Sequence, residues 1–361
     1  MKQDLLRFAL NDIRRISQLS LHDWDRLVRQ ARSADLLARL AVLARAAGLF
    51  DAVPAQARMH LESALVVAEA QDDAVRREVE HVRVALNAIG ITPVLLKGGA
   101  YLMAGLPAAQ GRLFSDLDIL VPQARLPEIE ATLMLNGWAT THHDPYDQRY
   151  YRQWMHELPP MQHIRRMTVL DVHHAIVPTT ADLKPDPAAL FAAAQPLPGH
   201  PGLSVLAPAD MVLHSATHLF YNEEFSHGLR DISDLDLLLR HFMQTPDFWA
   251  ELLGRARILG LMRPLYYCLR YCSTLLATPV PAAVLAEAAC TQGWSDPLIH
   301  GLWLRVLAST HPTARRPGTA LASLLLYLRA HWHRMPAGLL LYHLCRKALR
   351  PRARSDSQAE A

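Results

Sequence analysis

Two near-identical heptads of this chain of 361 residues each hold two aspartates one residue apart. The heptad Ser115-Asp-Leu-Asp-Ile-Leu-Val121 and its near duplicate Ser233-Asp-Leu-Asp-Leu-Leu-Leu239 differ at two of seven positions. On a strand, residues two apart point to the same side, so the pair can converge on a common cation. On a helix they diverge by about 200°. Ile119 and Val121 are β-branched and Pro122 closes the segment, which predicts a strand for the first copy. In the second, Ile232, Leu235, Leu238 and Leu239 keep three and four spacing, which predicts a helix with Asp234 and Asp236 facing solvent. The metal role therefore falls to Asp116 and Asp118. Like charges held this close repel, and a divalent cation is the usual neutraliser. The plain alternative is a strand end whose acids face water.

Upstream, Lys97-Gly98-Gly99-Ala100 stands between an apolar strand and a helix. Glycine there lets backbone amides approach an anion at the positive end of the helix. Arg112 and Ser115 add a cation and a hydroxyl within reach of phosphate oxygens. Lys97, as the last strand residue, suits a buried ion pair equally well.

The elements that must position these groups follow from periodicity. Residues 1–90 read as an N-terminal helical region, with a long helix over 57–88 stopped near Gly90. The character changes at Ile91: strands are expected at 92–96, 116–121, 138–141 and 167–174, with helices at 100–104 and 126–135, giving a core over 91–178. A Pro- and Ala-rich passage, 179–208, reads as a linker or a wrapping loop. A C-terminal helical region follows over 209–345, and a basic, disordered tail over 346–361. The expected fold class is α+β, a small mixed sheet flanked by helical regions.

Composition excludes several classes. A net charge of +3 does not by itself imply a polyanionic partner. No apolar run approaches the roughly 20 residues of a spanning helix, and no cleavable leader is indicated, so a cytoplasmic location is expected. Cys268, Cys272, Cys290 and Cys345 do not complete a zinc pattern and read as reduced thiols. His214 and His218, one helical turn apart, can take Zn²⁺ with His227 as third ligand or pack between helices. The tail, with Arg346, Lys347, Arg350, Arg352 and Arg354, offers weak contact to an acidic surface or stays solvated.

The segments Leu95-Leu96-Lys97-Gly98-Gly99-Ala100 and Gly111-Arg112-Leu113-Phe114-Ser115-Asp116-Leu117-Asp118-Ile119-Leu120-Val121 together resemble the DNA polymerase beta-like nucleotidyltransferase superfamily. Within it they are most similar to an uncharacterised bacterial nucleotidyltransferase family with a Leu-Lys-Gly motif, an Arg before the acid pair and a later Asp-x-His, here Asp171-Val172-His173. The resemblance implies Asp171 as the third carboxylate of the site and two Mg²⁺ ions on Asp116, Asp118 and Asp171. It implies nucleotide contacts from Lys97, Gly98, Gly99, Arg112 and Ser115. The reaction implied is in-line attack of an acceptor hydroxyl on the α-phosphorus of a nucleoside triphosphate such as ATP. The acceptor is left open among small molecules, proteins and RNA. Two rivals stand beside this reading: a toxin-like nucleotidyltransferase acting on tRNA or protein, and a catalytically silent nucleotide-binding scaffold.

Overall fold

The computed structural model describes residues 4–141, 144–222, 225–289 and 296–334. The basic tail, Cys290 and Cys345 lie outside them. The N-terminal part is helical: α1 (Leu5–Asn11), α2 (Leu21–Ser33), α3 (Leu37–Ala46) and the long α4 (Ala55–Asn87). Asp4 and Ser20 cap α1 and α2 by accepting from Arg7 N and Asp23 N, which satisfies first-turn amides.

The sheet begins after α4. Its strands are β1 (Val94–Leu95), β2 (Leu117–Leu120), β3 (Trp138–Thr140), β4 (Met161–His163), β5 (Val169–His173), β6 (Gln195–Pro196) and β7 (Ser204–Val205), in the spatial order β3-β4-β5-β2-β1-β7-β6. Pairing is mixed: β2 runs parallel to β5 and antiparallel to β1, while β7 runs parallel to β1. Between the strands lie α5 (Lys97–Met103), α6 (Leu126–Leu135), α7 (Pro145–Trp154) and α8 (Pro187–Ala193). The central strand β2 is buried along its whole length, which explains its unbroken apolar character apart from Asp118.

The C-terminal helices are α9 (Pro208–Tyr221), α10 (Gly228–Phe242), α11 (Phe248–Ile258), α12 (Met262–Leu276), α13 (Ala282–Ala288), α14 (Asp296–Val306) and α15 (Thr319–Arg334). Helices α9, α10 and α12 pack on one another, and one continuous apolar core joins both helical parts to the sheet. The α+β expectation holds. The passage 179–208 does more than connect, since it carries α8 and adds β6 and β7 to the sheet edge. No helix among the described residues is long and apolar enough to cross a membrane.

The second heptad is helical, as its periodicity predicts, yet its acids are not solvated. Asp234 and Asp236 are both buried. Asp234 is held by Arg39 Nη1 at 2.6 Å and Arg112 Nε at 3.0 Å, and Asp236 accepts from Thr278 Oγ1 at 2.6 Å and Arg240 Nε at 2.7 Å. Burial is possible because each carboxylate meets a cation and further donors. Cys268 and Cys272 are buried free thiols.

Candidate functional site

Parallel pairing of β2 with β5 sets Asp118 directly opposite Asp171. Adjacent parallel strands in register point matched side chains to one face, so the two carboxylates meet. Strand β2 begins at Leu117, and Asp116 stands immediately before it, half-buried, accepting a hydrogen bond from the exposed Ser115 hydroxyl at 3.0 Å. All three acids line one cleft of about 510 Å³, together with Lys97, Arg112, Ser115 and His173.

Asp118 sits deepest. Its Oδ1 accepts from Lys97 Nζ at 2.8 Å and from His173 Nε2 at 2.9 Å. Burial raises its pKa, but Lys97 and His173 outweigh this and hold it well below the ordinary carboxylate range. Lys97 therefore realises the ion-pair alternative. The backbone helps: Lys97 takes φ +43°, an uncommon left-handed conformation for a side-chain-bearing residue, at the turn from β1 into α5.

The other two acids are shifted the other way. Burial, then the charge on Asp118, raises Asp116. Burial, then Asp118 and Glu157, pushes Asp171 up to about 7. Its Oδ1 is sealed from solvent with no hydrogen-bond partner among the described residues. A cluster of this kind is unstable as three anions and suits a cation or a shared proton.

The glycines have a packing reason independent of any ligand. A Cβ on Gly98 would come 2.6 Å from Arg112 Nη1, and one on Gly99 would come 2.6 Å from Leu117 Cδ1. Arg112 lines the cleft, but its guanidinium is ion-paired to Asp234 and lies over the Phe114 ring. Of the three histidines considered as zinc ligands, His214 is buried, with its pKa lowered to about 3 by burial, and His218 reaches the cleft. His227 also lines the cleft, and its Nδ1 lies 3.0 Å from an Asp35 carboxylate oxygen. They do not form a metal-ligating group among the described residues.

Sequence reasoning passed over His156 and Glu157. The pair precedes a Leu-Pro-Pro stretch with no periodicity to mark it, and only the pairing of Glu157 opposite His173 brings it to the cleft. Arg334, at the end of α15, also reaches the cleft wall.

No curated protein matches the chain. A family profile described as "Uncharacterised nucleotidyltransferase" matches residues 20–277, which contain the whole sheet and all three cleft aspartates. The chain belongs to this uncharacterised nucleotidyltransferase family.

Proposed function

We propose that the cleft transfers a nucleoside monophosphate from a nucleoside triphosphate to an acceptor hydroxyl, with divalent cations held by Asp116, Asp118 and Asp171. The observation that carries this reading is the register of Asp118 against Asp171 with Asp116 beside them, one carboxylate oxygen being buried and without a donor among the described residues. Carboxylate oxygens are hard donors and fit Mg²⁺. When bound, such ions neutralise triphosphate charge and lower the pKa of an attacking hydroxyl.

The protein's own groups divide the remaining work. Asp171, opposite Asp118 in the cleft, is the group placed to accept the proton of the acceptor hydroxyl. Lys97 and His173 fix the Asp118 carboxylate by its Oδ1, so its orientation does not depend on the substrate. Ser115, exposed and lining the cleft, offers a hydroxyl to phosphate oxygens, while Gly98 and Gly99 are buried at the start of α5 behind Lys97. Arg112 contributes positive potential from the cleft wall rather than a free bidentate grip, because Asp234 occupies its Nε. A volume of about 510 Å³ falls within the range of small-molecule sites and accommodates a nucleotide.

The test uses purified protein, Mg²⁺ and each nucleoside triphosphate labelled in turn at the α- and γ-phosphate, mixed with RNA, protein and small-metabolite pools. Label from the α-position alone should enter one pool, which names the acceptor class. Transfer of the γ-label would contradict the reading. Nucleotide binding without transfer into any pool would favour the silent scaffold.

A further inference from the structure

Beside the three aspartates lies a second donor set of different chemistry. One ligand atom each from His156, Glu157 and His173 lie within 4.8 Å of one another. Glu157 pairs opposite His173 in an antiparallel bridge, clamped by Leu158 N to Val172 O at 2.9 Å and His174 N to His156 O at 2.8 Å. Directly opposed residues of such a bridge share a face. The chain bends at His156, and its ring comes to 5.2 Å from the His173 ring, centroid to centroid.

Three details point to a ligand. The Nδ1 atoms of both histidines are sealed from solvent and have no hydrogen-bond partner among the described residues. His173 as a whole is only 3% exposed, so its orphaned nitrogen is an interior one. Glu157 Oε2 stands 3.2 Å from His173 Nδ1, within ion-pair distance but not aligned as a hydrogen bond. Two ligands of one tetrahedral ion, at ordinary bond lengths near 2.0–2.1 Å, lie about 3.3 Å apart.

We infer that His156, Glu157 and His173 form a binding site for one first-row transition-metal cation of the Zn²⁺ type, separate from the aspartate site for hard cations. Two imidazoles and one carboxylate with an open position are a donor set that prefers such metals over Mg²⁺. The far side of His173 completes the arrangement: Nε2 bonds to Asp118 at 2.9 Å. A ligating histidine whose other nitrogen donates to a carboxylate has its tautomer and ring orientation fixed. Here that carboxylate belongs to the aspartate cluster, so metal on Nδ1 also steadies Asp118. The cleft lined by His156, Glu157 and His173 gives the ion access from solvent. The inference does not rest on nucleotide transfer.

The test is equilibrium dialysis of chelator-stripped protein against Zn²⁺ in millimolar Mg²⁺, with bound zinc counted by atomic emission. The wild type and the D116N/D171N double variant should each retain one equivalent. His156→Gln and Glu157→Gln should lose it, with circular dichroism unchanged. X-ray absorption of the zinc-loaded wild type should show two imidazole ligands, and this readout stands even if either single variant fails to fold. Zinc uptake by the wild type no greater than by His156→Gln would overturn the inference and leave His173 an imidazolium shared by Glu157 and Asp118. Loss of the ion in D116N/D171N with retention in His156→Gln would also overturn it. One zinc bound without any nucleotide transfer would sink the proposed function and leave this site standing.

Discussion

Asp171 is the residue whose environment is most at odds with an ordinary surface acid. Its folded-state pKa of about 7 lies above the usual 3.8, because burial and the nearby Asp118 and Glu157 disfavour its charge. The folded protein therefore holds this proton more tightly than the unfolded chain, and the stability contributed here falls as pH rises from about 4 to about 7. Asp171→Asn removes a partly buried charge at nearly constant shape. In metal-free protein it should raise the unfolding free energy at pH 8 by about 1–2 kcal/mol, after discounting an upper limit of about 4 kcal/mol for partial exposure. At pH 5 the gain should nearly vanish, and transfer activity should be lost at both. Thermal unfolding at the two pH values checks this; an Asn variant less stable at pH 8 than the wild type would contradict it. Asp171 stood out in the sequence only through the Asp171-Val172-His173 resemblance, since a lone strand acid reads as solvated. Its register against Asp118 was not legible, because pairing of strands more than fifty residues apart leaves no local pattern.

At the scale of elements, the site depends on how tightly the turn into α5 and the loop before β2 are packed. Gly111 has φ +65°, and a Cβ there would meet the backbone N of Arg39 at 2.6 Å. Gly111→Ala should cost about 2–4 kcal/mol from backbone strain and overlap with immovable main chain. Gly98→Ala should cost less, about 1–2 kcal/mol, because the atoms it meets belong to the side chains of Arg112 and Phe114 rather than to main chain. Urea unfolding of both variants checks the order; a larger loss at Gly98 would contradict it. A second anchor ties α4 to the opposite end of the sheet: Glu78 accepts from Trp138 Nε1 at 3.0 Å and Arg166 Nε at 2.6 Å. The helix, strand and Pro122 signals around Asp116 were readable because they are local. The two-residue strands β6 and β7 were not, since the pairing of β7 with β1 and of β6 with β7, rather than their composition, makes them strands.

Across the whole molecule, Asp234 joins three parts of the chain. It pairs with Arg39 of α3 and with Arg112 of the loop before β2, while sitting on α10 itself. Arg39 also donates to Ser233 Oγ at 3.2 Å and to the Ala108 carbonyl. The sequence placed Asp234 on a helix correctly and its surroundings wrongly, because its partner lies 195 positions earlier and no periodicity reports such a contact. Removing one member leaves the other charges buried and unpaired, so Asp234→Ala should destabilise the fold by about 3–5 kcal/mol. An Asp234→Ala variant within about 1 kcal/mol of the wild type would show that water replaces the pair. By holding Arg112, this network also shapes the cleft wall that faces Asp116 and Asp118. Nucleotidyl transfer by the aspartate cluster is tested most directly by comparing α-label transfer by wild type and Asp116→Asn at saturating Mg²⁺. Asp116 is half-buried and, among the described residues, its hydrogen-bond partner is the Ser115 hydroxyl, so the variant should fold normally. Transfer by Asp116→Asn should fall by about a thousandfold or more with unchanged circular dichroism. Equal transfer by the two proteins would contradict it.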